Sequence, residues 1–262
     1  MSLPTTEAEP MTRMAGATEH SWCRAVPGGT GITAVALLLS KPPNSQFLQN
    51  ALRKFQISHP ILNSKLQFDP PSSSFSYRVP PSPHLEILHF DPQSTAEILR
   101  SGFTDEERGS IPPLHLILEH ELNTNPWGNQ NPDPKSDADV FFASLYDFGE
   151  EGKWVLALRL HTSVCDRTSA AALLEDLLGT MVGGAELEME KLPELCLAIE
   201  DCIPSGLGNK PFWARGVDML GYSLNSFRLA NLDFKDTESP RMSRVVRLQM
   251  DVGETGRILS VS

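Results

Sequence analysis

The sequence predicts an α/β fold in which a mixed sheet is flanked by helices. A continuous apolar run at residues 30–39 lies between glycines and prolines, which is typical of a buried strand. Apolar residues at helical spacing follow at 47–55. Further along, two apolar runs separated by glycines precede a second apolar helical segment at 166–178. Strands and helices therefore alternate along the chain, as in α/β proteins.

The first helix is expected to begin at Asn44 or Ser45, because both residue types cap helix N-termini and Pro60 follows the last apolar position. Three strand-like pieces come next, separated by clusters of proline and serine that favour turns. The pattern predicts a meander of strands at 61–68, 74–79 and 85–90.

The middle of the chain combines weaker and stronger signals. The weaker ones predict a helix at 94–101, a strand at 114–122 and an exposed polar loop at 123–139. The stronger one is a hairpin, since the apolar runs 140–148 and 153–160 are separated by Gly149, Glu150, Glu151 and Gly152.

The last third is expected to contain helices at 192–203 and 211–229 and a strand at 244–252. The chain stops as another helix would begin. We therefore expect two units, a lobe at 1–182 and a helical connector with the start of an incomplete second lobe at 183–262.

Composition narrows the choice of function. A net charge of −11 over 262 residues argues against nucleic-acid and anionic-membrane partners, which need a basic face. The four cysteines form no CxxC pair and no zinc spacing. The chain contains no apolar run of bilayer length and begins with no apolar signal core, so a cytoplasmic location is expected.

The segment 161–166 (HTSVCD) places an imidazole, two hydroxyls, a thiol and a carboxylate between a strand and a helix. His161 is the first candidate for a general base, with a structural hydrogen-bonding role as the alternative. Cys165 is either a nucleophile activated by His161 or a small buried thiol. Asp166 either caps the following helix or pairs with an arginine.

The string LRLHTSVCDRTSAAALLEDLL at 158–178 resembles the HHxxxDG motif region of condensation domains and the HxxxD region of CoA-dependent acyltransferases. Alignment on Asp166 places His161 at the first histidine and Thr162 at the second, while Arg167 replaces the glycine. Residues 51–66 and 13–22 also resemble this superfamily. The resemblance covers about the first half of a typical member and includes the plant-type families.

The resemblance implies a two-lobed fold of the chloramphenicol-acetyltransferase type, of which this chain carries the N-terminal lobe. It implies no bound cofactor, an acyl-CoA or carrier-bound thioester as donor, and an alcohol or amine as acceptor. In the family the second histidine is the base and the aspartate orients the loop. Thr162 cannot act as a base near neutral pH. His161 could take its place only if the loop shifted its register, because adjacent residues of an extended strand point to opposite faces.

Three hypotheses follow. The first is an acyltransferase-family protein that is slow or inactive because Thr162 replaces the histidine. The second is a noncatalytic, truncated member that serves as a binding or interaction module. The third is an unrelated α/β binding protein. An incomplete second lobe would also expose apolar surface, which favours self-association or a protein partner.

Overall fold

The computed structural model describes residues 11–101, 111–128, 137–149, 152–183, 195–204, 216–217, 219–220 and 242–245, with Asp251 and Gly253. The strands are β1 (Met11–Met14), β2 (Ile32–Leu39), β3 (Lys65–Asp69), β4 (Ser74–Val79), β5 (Ile87–Phe90), β6 (Ala138–Asp139), β7 (Phe141–Asp147) and β8 (Trp154–His161). The helices of four residues or more are α1 (Ala17–Ala25), α2 (Ser45–Ser58), α3 (Pro92–Arg100), α4 (Pro113–Asn123) and α5 (Arg167–Gly183), with a short 3₁₀ turn at Pro60–Asn63.

The strands form two four-stranded sheets, which confirms the predicted α/β class with a mixed sheet. The central sheet has the order β2-β8-β7-β5. Its first three strands are antiparallel, and β5 runs parallel to β7. The second sheet has the order β1-β4-β3-β6 and is antiparallel throughout.

The central sheet is covered on both faces. Because side chains alternate along a strand, Leu156 and Leu158 of β8 point to one face while Val155 and Ala157 point to the other. The first face packs against α2 and α5, which supply Phe55 and other buried side chains. The second face packs against α4 and α3. The loop that follows β8 therefore emerges between two helical layers.

Several predicted elements are confirmed with small shifts of their ends. The run 30–39 forms β2, the predicted hairpin is β7 with β8, and the segment 166–178 forms α5, which continues to Gly183. Asn44 is the N-cap of α2, since its Oδ1 accepts a hydrogen bond of 2.9 Å from the Phe47 N–H. The helix predicted at 94–101 is α3.

The strand predicted at 114–122 is wrong, because this segment is the helix α4. Leucines alternate with polar residues at its start, which suggested a strand. Its buried residues Leu116, Ile117 and Glu121 instead follow helical spacing, and Pro113 occupies the first turn, where proline favours a helix. Leucine and glutamate are also strong helix formers.

The meander is right only for its first two strands. The strands β3 and β4 pair with each other, but β5 leaves them and joins the central sheet beside β7. The exposed loop expected at 123–139 is wrong at both ends: Trp127 is buried, and β6 pairs with β3. Residues 129–136 lie outside the described residues. The sequence also gave no indication of β1, which pairs with β4.

The helix predicted at 192–203 is wrong where it can be compared, because residues 195–204 are irregular, with turns at 199–202. The Glu200 carboxylate accepts bonds from the N–H and hydroxyl of Thr18, at 2.7 Å each, which anchors these turns to α1. The predictions for 211–229 and 244–252 fall mostly outside the described residues. Within the described ranges, no helix combines the length and apolar character needed to cross a membrane.

Candidate functional site

A cleft of about 720 Å³ opens where the loop 162–166 joins β8 to α5. The edge strand β2 forms its floor. The first turn of α5 and the end of α4 form its walls, together with Trp22 from α1. The lining residues are Trp22, Thr30, Gly31, Ile32, Thr33, Ala34, Val35, Leu122, Thr162, Asp166, Arg167, Thr168 and Ala170.

Thr162 lies in this cleft and is held by β2. Its N–H donates to the Gly31 carbonyl at 3.0 Å, and its Oγ1 lies 2.9 Å from Thr33 Oγ1. Because Thr33 donates its own hydroxyl proton to the Cys165 carbonyl, Thr162 must be the donor to Thr33. The Thr162 hydroxyl therefore offers only its lone pairs to a ligand.

His161 does not reach the cleft. Its side chain points away from that of Thr162, is fully buried, and meets the Trp127 ring edge to face at 5.0 Å. Its Nδ1 accepts the Ser163 N–H at 3.2 Å, so the neutral ring carries its proton on Nε2. Burial lowers the pKa of His161 to about 4, because desolvation disfavours the imidazolium. The histidine thus has a structural position.

Cys165 and Asp166 also have structural roles in this arrangement. The Cys165 thiol is buried, and burial, with Asp166 adding to it, raises its pKa to about 12, so a thiolate is disfavoured. Asp166 Oδ1 accepts the Ser169 N–H at 2.7 Å and caps α5. This hydrogen bond lowers the pKa of Asp166, so its carboxylate is ionised at neutral pH and is a weak base.

The sequence did not indicate that Gly31 and Trp22 shape the wall of the cleft. Gly31 has φ +83, and a Cβ there would lie 2.8 Å from the Trp22 ring and 3.0 Å from Val26. The absence of a side chain therefore lets the indole pack directly on the strand. The Pro-Gly-Gly-Thr-Gly run before β2 signalled a turn, but no local pattern linked Gly31 to Trp22, which lies on another element.

The α4 wall is fixed by a buried polar network. Glu121 accepts hydrogen bonds from the Tyr146 hydroxyl and from Arg159 Nη1, both at 2.5 Å. Burial, with Glu121 adding to it, raises the pKa of Tyr146 above its usual range, so the phenol keeps its proton and donates it. Tyr146 of β7 and Arg159 of β8 thus both bind Glu121 of α4. These bonds fix the end of α4, so the next residue, Leu122, is held beside the edge of β2.

The chemistry of the lining follows from these contacts. Its polar groups are hydroxyls, one capping carboxylate and one guanidinium, and none of these described side chains accepts a proton readily near pH 7. Trp22, Ile32, Val35 and Leu122 add apolar surface. The described residues contain no group of three His, Cys, Asp or Glu side chains placed to hold a metal ion. The lining thus combines apolar surface with hydroxyls and offers no side chain that would act as a general base.

No family model matches the chain. No curated protein matches it either.

Solved structures with a similar fold include condensation domains. The first condensation domain of the calcium-dependent antibiotic synthetase, with a substrate analogue, is 18% identical over 72% of this chain and 42% of that chain, with a TM-score of 0.44. The condensation domain of the monacolin K polyketide synthase MokA is 12% identical over 69% and 36%, with a TM-score of 0.47. A structure described as holo T3CT is 13% identical over 68% and 36%, with a TM-score of 0.48.

The chain spans only 36% to 42% of the length of these three structures. None of them is described as a plant acyltransferase, so the expected plant-type membership has no support from them. At these TM-scores the similarity carries no argument about activity.

Proposed function

We propose that this chain is a noncatalytic binding domain with an acyltransferase-like fold, and that its cleft binds an acyl thioester without turning it over. The observation that carries the proposal is the position of Thr162 in the cleft with its proton donated to Thr33. The resemblance of residues 158–178 to the condensation-domain motif region supports a thioester as ligand.

Acyl transfer is the competing function, and the position of His161 distinguishes it from binding alone. For His161 to deprotonate an acceptor, its buried ring would have to leave its contact with Trp127 and enter a cleft that it does not line. Its low pKa would also make it a weak base. The geometry therefore favours binding alone.

Binding can be tested with a stable thioether, S-butyl coenzyme A, by isothermal titration calorimetry. Wild-type protein is expected to bind it saturably. Thr168→Trp should abolish binding, because Thr168 lines the cleft. Ser169→Trp is the matched control, since the neighbouring Ser169 is exposed but lies outside the lining. Absence of binding to wild type, or equal binding by both variants, would contradict the proposal.

A further inference from the structure

Three threonine hydroxyls that line the cleft donate their protons to other groups of the protein. The Thr162 hydroxyl donates to Thr33, and the Thr33 hydroxyl donates to the Cys165 carbonyl at 3.0 Å. The Thr30 hydroxyl donates to the Ala25 carbonyl at 3.1 Å. Because a hydroxyl has a single proton, each of these three side chains presents only lone pairs to the cleft.

The other polar side chains of the lining lie at the start of α5. Asp166 is an ionised carboxylate that already accepts the Ser169 N–H, and it adds further acceptor oxygens. Arg167 and Thr168 follow it, and both are exposed. Since Asp166 and Arg167 carry opposite charges at adjacent positions, the lining side chains have no net charge that would select an ionic ligand. A neutral ligand is therefore favoured.

The Thr162 oxygen is surrounded by apolar surface as well as by acceptors. Trp22, Ile32 and Leu122 line the same cleft, and Thr162 itself is only partly exposed. A ligand that fills the cleft displaces water from this oxygen, and an acceptor that loses water without gaining a donor costs free energy. A ligand oxygen placed there would add repulsion between lone pairs. A ligand N–H placed there would restore the lost hydrogen bond.

A thioester ligand can supply such a donor. Both coenzyme A and a carrier's pantetheine arm have a secondary amide close to the sulfur atom. The amide N–H is neutral and acts only as a donor, whereas a hydroxyl both donates and accepts. It therefore matches a cleft whose charges cancel and whose threonine hydroxyls offer only lone pairs.

We propose that Thr162 determines the specificity of the cleft by accepting a hydrogen bond from a neutral secondary amide N–H of the ligand, and that Thr33 keeps Thr162 in this accepting role. This recognition rests on the binding function proposed above and names the group of the ligand that the cleft reads. Replacing that N–H by an oxygen should weaken binding although the size and shape of the ligand hardly change.

Two probes that differ at this position test the proposal. N-acetyl-S-butylcysteamine has the amide N–H, and its ester analogue, butylthioethyl acetate, has an oxygen in its place. NMR titration of the isotope-labelled full chain measures the Kd of each probe. The wild type should bind the amide about fivefold to tenfold more tightly than the ester. Equal Kd values for the two probes would overturn the proposal.

Variants of the two threonines separate the N–H contact from other differences between the probes. Thr162→Val keeps the shape of the side chain but removes the acceptor, so the preference for the amide should fall below about twofold. Thr162→Ser keeps the oxygen and should retain the preference. A full preference in Thr162→Val would show that another group recognises the amide and would overturn the proposal.

Thr33→Val tests the second part of the proposal. This variant leaves the Thr162 proton free to turn towards a ligand, as the Thr33 oxygen no longer accepts it. The ester should then bind more tightly than it binds to the wild type, because its oxygen can accept that proton. Unchanged ester binding would show that Thr33 does not set the role of Thr162.

The same titrations distinguish a failure of this specificity from a failure of binding. If the wild type binds both probes equally and Thr168→Trp abolishes both, the cleft binds ligands but Thr162 does not select them. If the wild type binds neither the amide probe nor S-butyl coenzyme A, the binding function fails and the specificity fails with it.

Discussion

At position 162 a threonine hydroxyl stands in the cleft where the resemblance places a catalytic histidine. The hydroxyl has a structural role, because it donates to Thr33, whose own hydroxyl donates to the Cys165 carbonyl. These bonds connect the loop before α5 to the edge strand. Where the resembling motif has a proton acceptor, this chain therefore has a side chain that ties the loop to the edge strand.

His161 should leave a signature in the pH dependence of stability. Its pKa is lowered from 6.5 to about 4 in the folded protein, so the unfolded chain binds more protons between these values. Stability from this group is complete above pH 6.5 and is lost as pH falls towards 4. The loss should be on the order of 1 kcal/mol per pH unit over that window.

Urea unfolding from pH 7 to 4 measures this effect when wild type is compared with His161→Asn. Burial also lowers the pKa values of His59 and His120, which remain in both proteins and cancel in the comparison. The wild type should lose more stability than the variant as pH falls. Parallel pH profiles would show that His161 is not buried in its neutral form.

At the scale of elements, Asp166 decides how α5 begins. Asp166→Ala removes the acceptor for the Ser169 N–H and should lower the free energy of unfolding by about 1 kcal/mol. Asp166→Asn keeps a capping oxygen and should lie close to wild type. Thermal unfolding of the three proteins distinguishes a cap from a catalytic residue, and equal stability of the alanine and wild-type proteins would contradict the capping role.

The attachment of α4 to the sheet depends on Glu121. Glu121→Ala leaves the buried Arg159 without its partner and should cost about 3–5 kcal/mol in denaturant unfolding. Glu119→Ala, on the same helix, is the control and should cost about 1 kcal/mol or less, because it removes one hydrogen bond to the Val245 N–H.

The double variant Glu121→Leu with Arg159→Met tests whether the unpaired charge causes the loss. It removes both charges and should recover most of the lost stability. A double variant as unstable as Glu121→Ala would show that the ion pair does not account for the cost.

The elements that the sequence predicted correctly are those whose signals are local. The hairpin of β7 and β8 has glycines at its turn, and α2 has Asn44 as its cap. A strand was predicted for the segment that forms α4, because over a short stretch its leucines fit both the strand period of two residues and the helix period of 3.6. The pairing of β5 with β7, and of β6 with β3, depends on residues far apart in sequence and left no local signal.

The candidate site could be predicted only in part, because some of its residues are neighbours in the sequence and others come from separate elements. The loop 161–166 was visible because its polar residues are consecutive, and the alternation of a strand already separated His161 from Thr162. The wall made by Trp22 on Gly31 and the network at Glu121 are tertiary contacts between separate elements. Only the fold brings them to the cleft.

At the scale of the whole molecule, net charge bears on which thioester can bind. The chain carries −11 and coenzyme A carries several phosphate charges, so their long-range interaction is repulsive at low salt. Acyl-pantetheine lacks those phosphates. We expect its affinity relative to acyl-CoA to be highest at low ionic strength and to fall as salt screens the repulsion. If calorimetric titrations gave a ratio of the two affinities that does not change with salt, the net charge of the protein would have no effect on binding at this site.

The most direct test of the central claim is the release of free thiol from butyryl-CoA in the presence of a primary alcohol or amine, measured between pH 6 and 9. Because Thr162 lies in the cleft and His161 is buried outside its lining, the wild type should release thiol at the uncatalysed rate throughout this range. Release well above that rate, abolished by His161→Ala, would contradict it.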